Sequence, residues 1–329
     1  MSEPLISIVI PCYNIESYIA RTLDSVFGQT YPNLEVIAVD DGSKDGTGAV
    51  LDRYAEREPR LHVLHQNNQG VSYARLNGVS ASSGDYIGFV DGDDLIDPDM
   101  YERLYQNAIH YKADISHCGY RMVFPDRTDY YYNTGETVLQ NRKRGISDLL
   151  EGTSVEPGLW NKLFRRELFV KLLQGKTVMD MTMRENEDLL MNYCLFSESA
   201  QSVYEDFCPY QYLIRNSSSS QGGLKPHILT DPIHIGELLL EETKQDPDWY
   251  RLAARYYVTK LIKAATVRQG FSSDKMSEIR KAAHEKLTAF LPEYLSLPGE
   301  NAKRKLLAAW AAYAPHLYSA VHQIYSLRN

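Results

Sequence analysis

No apolar stretch in the chain approaches the roughly 20 residues a bilayer-spanning helix needs. The opening residues, MSEPLISIVIPCYN, lack the basic region and small-residue cleavage site of a secretory leader. Cysteine is scarce: Cys12, Cys118, Cys194 and Cys208 are scattered and form no metal-spaced pair. Reduced, mostly buried thiols in a cytoplasmic protein are the simpler expectation. No G-x-G-x-x-G follows the first apolar run, which argues against a nicotinamide or flavin cofactor. The nine histidines show no ligand spacing such as H-E-x-x-H.

What is present is ordinary globular material. The 329 residues are 43% hydrophobic and 24% charged, enough for one large domain or two smaller ones. Charge is uneven along the chain. Residues 1–224 hold 20 Lys and Arg against 32 Asp and Glu, whereas residues 225–329 hold 15 against 11. An acidic main domain argues against nucleic acid as its partner, and the basic tail hints at an anionic surface.

Apolar runs and helical patterns alternate through the first hundred residues. LISIVI (5–10), LEVIAVDDGS (34–43), LHVLHQ (61–66) and DYIGFVDGDD (85–94) read as strands. SYIARTLDSVFGQ (17–29), TGAVLDRYAERE (47–58) and SYARLNGVSAS (72–82) read as helices between them. This spacing predicts βαβ units and a mostly parallel, Rossmann-like sheet flanked by helices, an α/β fold. The pattern loosens from about Pro98 to Leu224, and SSSSQGG (217–223) has a linker's composition. Long helical patterns follow at 248–269, 275–291 and 303–327, predicting a C-terminal helical subdomain. There is no internal repeat.

Open α/β sheets bind ligands beyond the carboxyl ends of their strands. Three strands end in polar or acidic residues there: Pro11-Cys12-Tyr13-Asn14, Asp40-Asp41-Gly42-Ser43 and Asp91-Gly92-Asp93-Asp94. On extended chain Asp91 and Asp93 would point to one side, with Gly92 leaving room for a ligand. Two such hard oxygens, with diphosphate oxygens and waters, would fill the shell of Mg²⁺ or Mn²⁺. An EF-hand is excluded, because Leu95 and Ile96 occupy its ligand and glycine positions and Pro98 interrupts the loop. A plain acidic turn with no ligand is the alternative.

SIVIPCYN, EVIAVDDGSKDGT, GVSYARLNG and YIGFVDGDD, in this order, resemble the donor half of family 2 glycosyltransferases with the GT-A fold. GLWNKLFRREL (158–168), RENEDLLMNYCLF (184–196) and YQYLIRNSSS (210–219) resemble that family's acceptor half. The resemblance covers about residues 4–220. It implies a GT-A domain over 1–224, split into a nucleotide-sugar half (1–98) and an acceptor half (99–224), with the helical subdomain at 225–329.

The resemblance also implies roles. Asp41, in preference to Asp40, would accept the N3–H of a uracil; both could instead cap the following helix. Pro11 and Tyr13 would wall the base pocket, and Asn14 hold the turn. Arg75 would steady the base or diphosphate, although Leu76 stands where the family usually has Asn. Asp93 is the first choice of metal ligand in this DXD motif, with Asp91 and Asp94 sharing coordination or binding ribose. Asp188 would be the general base of an inverting transfer and Glu187 its positioning partner; the alternative is a pair of acids complementing a helix dipole. Trp160 and Lys162 would meet the acceptor, or else pack and cap a helix. Arg215 would close over the diphosphate.

The tail lies outside the resemblance. Arg251, Arg255, Lys260, Lys263 and Arg268 recur along one predicted helix, and Lys303-Arg304-Lys305 precede LLAAWAAYAPHLY. Such a surface suits peripheral contact at the inner face of the plasma membrane, where lipid-linked acceptors sit. The commoner use is to cover a core, with a homodimer contact as a further option.

The expectation is therefore a metal-dependent inverting glycosyltransferase of the hexosyl-transferring type, using Mn²⁺ or Mg²⁺. It would pass a sugar from a nucleotide donor, expected to be a UDP-sugar, to a hydroxyl of a glycan or of a lipid- or protein-linked glycan. Bacterial surface polysaccharide or glycoprotein glycan assembly is the expected context. Nucleotidyl transfer competes, but SIVIPCYNIESYIAR has no Gly-rich basic loop for a triphosphate. A non-catalytic binder also competes, and the Asp91/Asp93 and Glu187-Asp188 sets oppose it.

Overall fold

The computed structural model describes residues 3–131, 135–214, 225–267 and 274–318. They divide into two compact units, Met1–Thr182 with Glu187–Ser218, and Met183–Asn186 with Ser219–Asn329.

The first unit opens with β1 (Ile6–Cys12), α1 (Ile19–Phe27), β2 (Leu34–Asp40), α2 (Thr47–Ala55), β3 (Leu61–His65), α3 (Val71–Ala81) and β4 (Tyr86–Phe89). It continues with β5 (Leu95–Ile96), α4 (Met100–His110), β6 (Ile115–Val123), β7 (Thr128–Tyr131), β8 (Thr137–Asn141) and α5 (Arg142–Glu151). Then come β9 (Lys162–Arg165), the short α6 (Val170–Leu173), α7 (Glu187–Glu198) and β10 (Gln201–Leu213). All ten strands of the described residues join one sheet, with the path β3-β2-β1-β4-β9-β6-β10-β5; β7 pairs with β6 and β8 with β10.

The two sides of this sheet differ. β1 pairs in parallel with β2 and β4, and β2 with β3, as alternating strands and helices require. Beyond β4 the sheet is mixed: β6 and β10 run parallel, while β5, β7, β8 and β9 enter antiparallel. Residues 6–10 of β1 are fully buried on both faces, so the strand reads as a continuous apolar run. α1 lays Ile19, Leu23 and Val26 into the core at helical spacing. Gly78 lets α3 lie against β1, because a β-carbon there would stand 2.4 Å from Val9 Cγ1.

The second unit holds α8 (His227–Thr243), α9 (Pro247–Thr266), α10 (Asp274–Ser296) and α11 (Ala302–Tyr313). Their buried residues form a separate core of Leu229, Leu261, Leu287, Leu291 and Tyr294 among others. α9 starts where Asp246 accepts from the Asp248 and Trp249 N–H groups, with Pro247 at the first helical position. α8 has no counterpart in the sequence expectation, since Pro232 sits inside it. The long final pattern is interrupted: α11 ends at Tyr313, just before Pro315, the chain is helical again over 315–318, and residues 319–327 of the expected helix lie outside the described residues.

The basic stripe expected along the second-unit helix is committed inside that unit. Arg251 meets Asp248 at 3.2 Å, Arg255 meets the buried Glu300 at 3.1 Å, and Lys260 lies 4.7 Å from the Tyr256 ring centroid. Lys263 is exposed, and Arg268 lies outside the described residues.

Candidate active site

The acids after β4 do not lie on extended chain. β4 stops at Phe89, and the Asp94 N–H donates to the Asp91 carbonyl at 3.0 Å, closing a turn over 91–94. The alternation expected to aim Asp91 and Asp93 to one side is therefore replaced by turn geometry. Gly92 also has a different reason from the one expected. A β-carbon on it would stand 2.4 Å from Ile15 Cδ1 and 3.2 Å from the Pro11 carbonyl, so the space belongs to the protein's own packing.

Two residues that the sequence did not mark hold this turn. The Thr22 hydroxyl, on α1, lies 3.0 Å from the Gly92 carbonyl and 2.8 Å from that of Asp94. The Tyr210 hydroxyl donates to Asp94 Oδ2 at 2.9 Å and accepts the Asp91 N–H at 3.2 Å. The Leu213 N–H occupies Asp94 Oδ1 at 2.9 Å. Asp94 is 2% exposed with both oxygens engaged, and burial pushes its carboxyl well above the usual range, helped by Asp91 and Asp93. Through both carboxylate oxygens it anchors the turn to β10.

Asp91 faces the other way. Its Oδ1 accepts from Arg75 Nη2 at 3.3 Å, and Arg75 Nη1 donates to Glu187 Oε1 at 3.1 Å. Arg75, 5% exposed on α3, thus joins the β4 turn to the start of α7, where its partner Glu187 lies 112 residues away from it in sequence. Its Nε is buried with no hydrogen-bond partner among the described residues. Beside Glu187, Asp188 accepts the Leu189 N–H at 2.7 Å. Burial pushes the Asp188 carboxyl up to about 7; the Glu187 charge adds to this and Arg75 opposes it.

The remaining candidates sort by contact. Asp41, 3% exposed, holds the loop after β3: Oδ1 accepts from Gln66 Nε2 and the Gln69 N–H, and Oδ2 from the Gly70 N–H. Asp40 accepts the Ser43 N–H at 3.0 Å and meets His65 Nδ1 at 3.1 Å. Asn14 takes a left-handed φ of 53° and its Oδ1 accepts the Lys44 N–H at 2.7 Å, a turn-holding role. Pro11 is the half-buried penultimate residue of β1, while Tyr13, just beyond the strand, is 48% exposed.

Trp160 and Lys162 belong to the interior. Trp160 is 7% exposed, stacked on Tyr210 at 4.3 Å and edge-on to Tyr120 at 4.8 Å. Lys162 is fully buried; its ammonium donates to Asn161 Oδ1 and to the Glu156 and Gly158 carbonyls at 2.6–2.7 Å. Burial lowers its pKa to about 8. Both take the packing alternative instead of presenting a face to an acceptor. Arg215 lies outside the described residues. A cavity of about 350 Å³, lined by Asp97, Arg103, Arg121 and Phe207, contains none of the predicted site residues.

Residues 7–173 match the family described as Glycosyl transferase family 2. The chain belongs to glycosyltransferase family 2. The uncharacterized glycosyltransferase EpsJ of Bacillus subtilis (strain 168) is 35% identical over 226 residues, covering 68% of this chain and 65% of EpsJ. Glycosyltransferase GlyA of Streptococcus pneumoniae is 31% identical over 226 residues, 66% of this chain and 31% of GlyA. The chain thus spans less than two thirds of the length of either relative. Among solved structures, S. aureus TarS 1–349 in complex with UDP-GlcNAc aligns with a TM-score of 0.72 over 98% of this chain and 92% of that one. At 19% identity that likeness establishes the fold alone, an α/β fold with a central sheet flanked by helices.

Proposed function

We propose that this member of family 2 is an inverting glycosyltransferase that takes a sugar from a nucleoside-diphosphate donor to a hydroxyl of a glycan or glycoconjugate. The observation that carries the reading is the Arg75 bridge, which draws Asp91 and Glu187 to one guanidinium and leaves Asp188, near-neutral in pKa, beside it. Direct displacement needs those two functions together: charge control at the leaving diphosphate, and a base on the opposite face of the sugar ring.

Asp188 is the base in this reading. A carboxylate with a pKa near 7 removes a hydroxyl proton far better than one near 4, because base strength rises with pKa. Glu187, paired to Arg75, fixes the first turn of α7 and so where Asp188 stands. Arg75 balances the acids of both sides.

Metal dependence is part of the proposal. Asp93 and Asp91 would hold Mn²⁺ or Mg²⁺, as hard carboxylate oxygens suit either ion. Among the described residues no group of three or more His, Cys, Asp or Glu could hold a metal by itself, so the donor's phosphates would complete the shell. Once bound, the ion would stabilise negative charge developing on the diphosphate. Uridine as the base draws on Asp41, whose Oδ2 accepts one bond and retains a lone pair, and on TarS, whose structure holds UDP-GlcNAc. The proposed setting is bacterial cell-surface polysaccharide assembly on the cytoplasmic side. Among the described residues no helix is long and apolar enough to cross a membrane.

Thermal stability with UDP-, GDP- and dTDP-sugars, each with Mn²⁺ and with EDTA, tests the reading. Stabilisation by a UDP-sugar in Mn²⁺, lost in EDTA and in Asp93→Ala, is expected; a ligand at 100 times its Kd adds about 2.7 kcal/mol. No shift with any sugar nucleotide would sink the proposal, and preference for another base would remove the role of Asp41.

A further inference from the structure

From Asn301 to Asn329 the sequence contains no Asp or Glu, yet carries Lys303, Arg304, Lys305 and Arg328. α11 lies at the start of this stretch. It turns Ala308, Ala311 and Ala312 into the core of the second unit. On its outer side Leu306 is 70% and Tyr313 75% exposed, and Leu317, just beyond, is 59% exposed. These are the three most exposed large hydrophobic side chains among the described residues.

Leu306 and Tyr313 are two helical turns apart, and the partly exposed Trp310 falls between them on the same stripe. Trp310 packs edge-on to Tyr318 at 5.5 Å, which keeps a second aromatic at this surface. Lys303, exposed, lies one turn before Leu306. Lys305 is otherwise engaged, donating to the Leu295 and Leu297 carbonyls at 2.7 Å. The small alanine face explains why α11 stays in the unit. Nothing in that packing requires leucine, tyrosine and tryptophan on the outside. A contiguous apolar stripe on a folded chain marks a contact surface.

We propose that the outer face of α11 docks on an anionic lipid bilayer. Charge complementarity selects this occupant, since an acid-free, cationic stretch is drawn to a negative surface and repelled from a positive one. The side chains suit the same depth order. Leu306 and Leu317 reach the acyl boundary, Trp310 and Tyr313 sit at headgroup level, and Lys303 meets phosphate. The helix lies along the surface; its length and its buried alanine face exclude spanning. The inference goes beyond the transfer reading and stands without it, because it needs no donor, metal or turnover.

Flotation of the full chain with vesicles of phosphatidylcholine alone, or mixed with phosphatidylglycerol, tests it. The chain is expected to float with the mixed vesicles and to be released by high salt. Lys303→Glu should weaken that binding by about fivefold or more, since each near-surface cation contributes about that factor. Leu306→Ser with Tyr313→Ser should lower it about tenfold or more through lost apolar contact, with circular dichroism and melting unchanged, because both side chains are exposed. A chain that ignores mixed vesicles overturns the proposal, as does undiminished flotation of both variants. So does a concentration-dependent dimer, abolished by the double substitution, in a chain that does not float; the stripe would then belong to a second copy.

Discussion

The acids at the strand ends and the acids that open α7 look alike in sequence but are treated differently by the fold. Asp40, Asp41 and Asp94 accept hydrogen bonds at both carboxylate oxygens from other parts of the first unit. Asp188 accepts only the adjacent Leu189 N–H among the contacts of the described residues, and burial raises its pKa to about 7. The difference teaches which acids are scaffold. A buried carboxylate with both oxygens engaged has its hydration replaced and its position fixed. Burial raises both Asp94 and Asp188, but among the described residues only Asp188 keeps an oxygen outside the scaffold's hydrogen bonds, and a raised pKa on such a group is the property a base requires.

The contrast is broken most severely at Asp188. Asp188→Asn should lower transfer by about 10²- to 10⁴-fold, the usual contribution of a positioned base, while stabilisation by donor and Mn²⁺ persists. The substitution also has a stability signature. Because the folded pKa lies above the unfolded value of about 4, the folded state binds more protons between about pH 4 and 7, and stability falls as pH rises through that window. Asn cannot titrate. The urea midpoint of Asp188→Asn should therefore gain on that of the parent from about pH 4 to 7 and hold its lead above. A constant difference across that range would show that Asp188 is not the strained acid.

Arg75 is where the two classes of acid meet. Removing it leaves Asp91 and Glu187, with side chains 27% and 13% exposed, facing each other without their shared cation. Arg75→Ala should cost about 3 kcal/mol, the low end for breaking a buried pair because Asp91 retains some water. Denaturation at pH 7 measures the loss, and lowering the pH should recover part of it by protonating the acids. Lysine should rescue poorly, since a single ammonium cannot span two carboxylates as a guanidinium fork does.

Tyr210 tests the scaffold side. Tyr210→Phe keeps the ring stacked on Trp160 but removes the hydroxyl that ties Asp94 to the Asp91 N–H. About 1–3 kcal/mol of stability should go, the cost of leaving buried polar groups unpaired. Donor-induced stabilisation should weaken with it, because the turn presenting Asp93 loses a tether. A loss of stability with donor response intact would make the tyrosine purely structural.

The parts legible in sequence were those with a local signature. β1 to β4 and their helices follow from apolar runs alternating with amphipathic spacing over short distances, and the strand-end acids follow from the strands. What was not legible depends on partners far along the chain. Tyr210 reaches Asp94 across 116 residues, and Arg75 reaches Glu187 across 112. No period encodes such a pair. Trp160 and Lys162 were ambiguous for another reason. An aromatic and a lysine suit a sugar site or an interior equally, until the Asn161 side chain and the 156 and 158 carbonyls are seen around the ammonium. The basic pattern on α9 was real, but Glu300 and Asp248 neutralise it from positions the pattern could not reveal.

The smallest expected effect comes from the end of β3, where the scaffold itself titrates. His65 stands between Asp52 at 3.0 Å and Asp40 at 3.1 Å, and these hydrogen bonds, Asp52 first, raise its pKa above the ordinary imidazole value. A raised histidine pKa means that the folded state holds its proton longer. The stabilisation is complete below the unfolded value of about 6.5 and disappears as pH rises through the folded value. With its side chain 49% exposed, the imidazolium should contribute only about 0.2–1 kcal/mol. His65→Gln should therefore lower the urea midpoint at pH 5.5 slightly and leave it nearly unchanged at pH 8.5, with the gap shrinking in high salt. The opposite pH order would mean that Asp40 is held mainly by the Ser43 N–H and that the histidine is incidental.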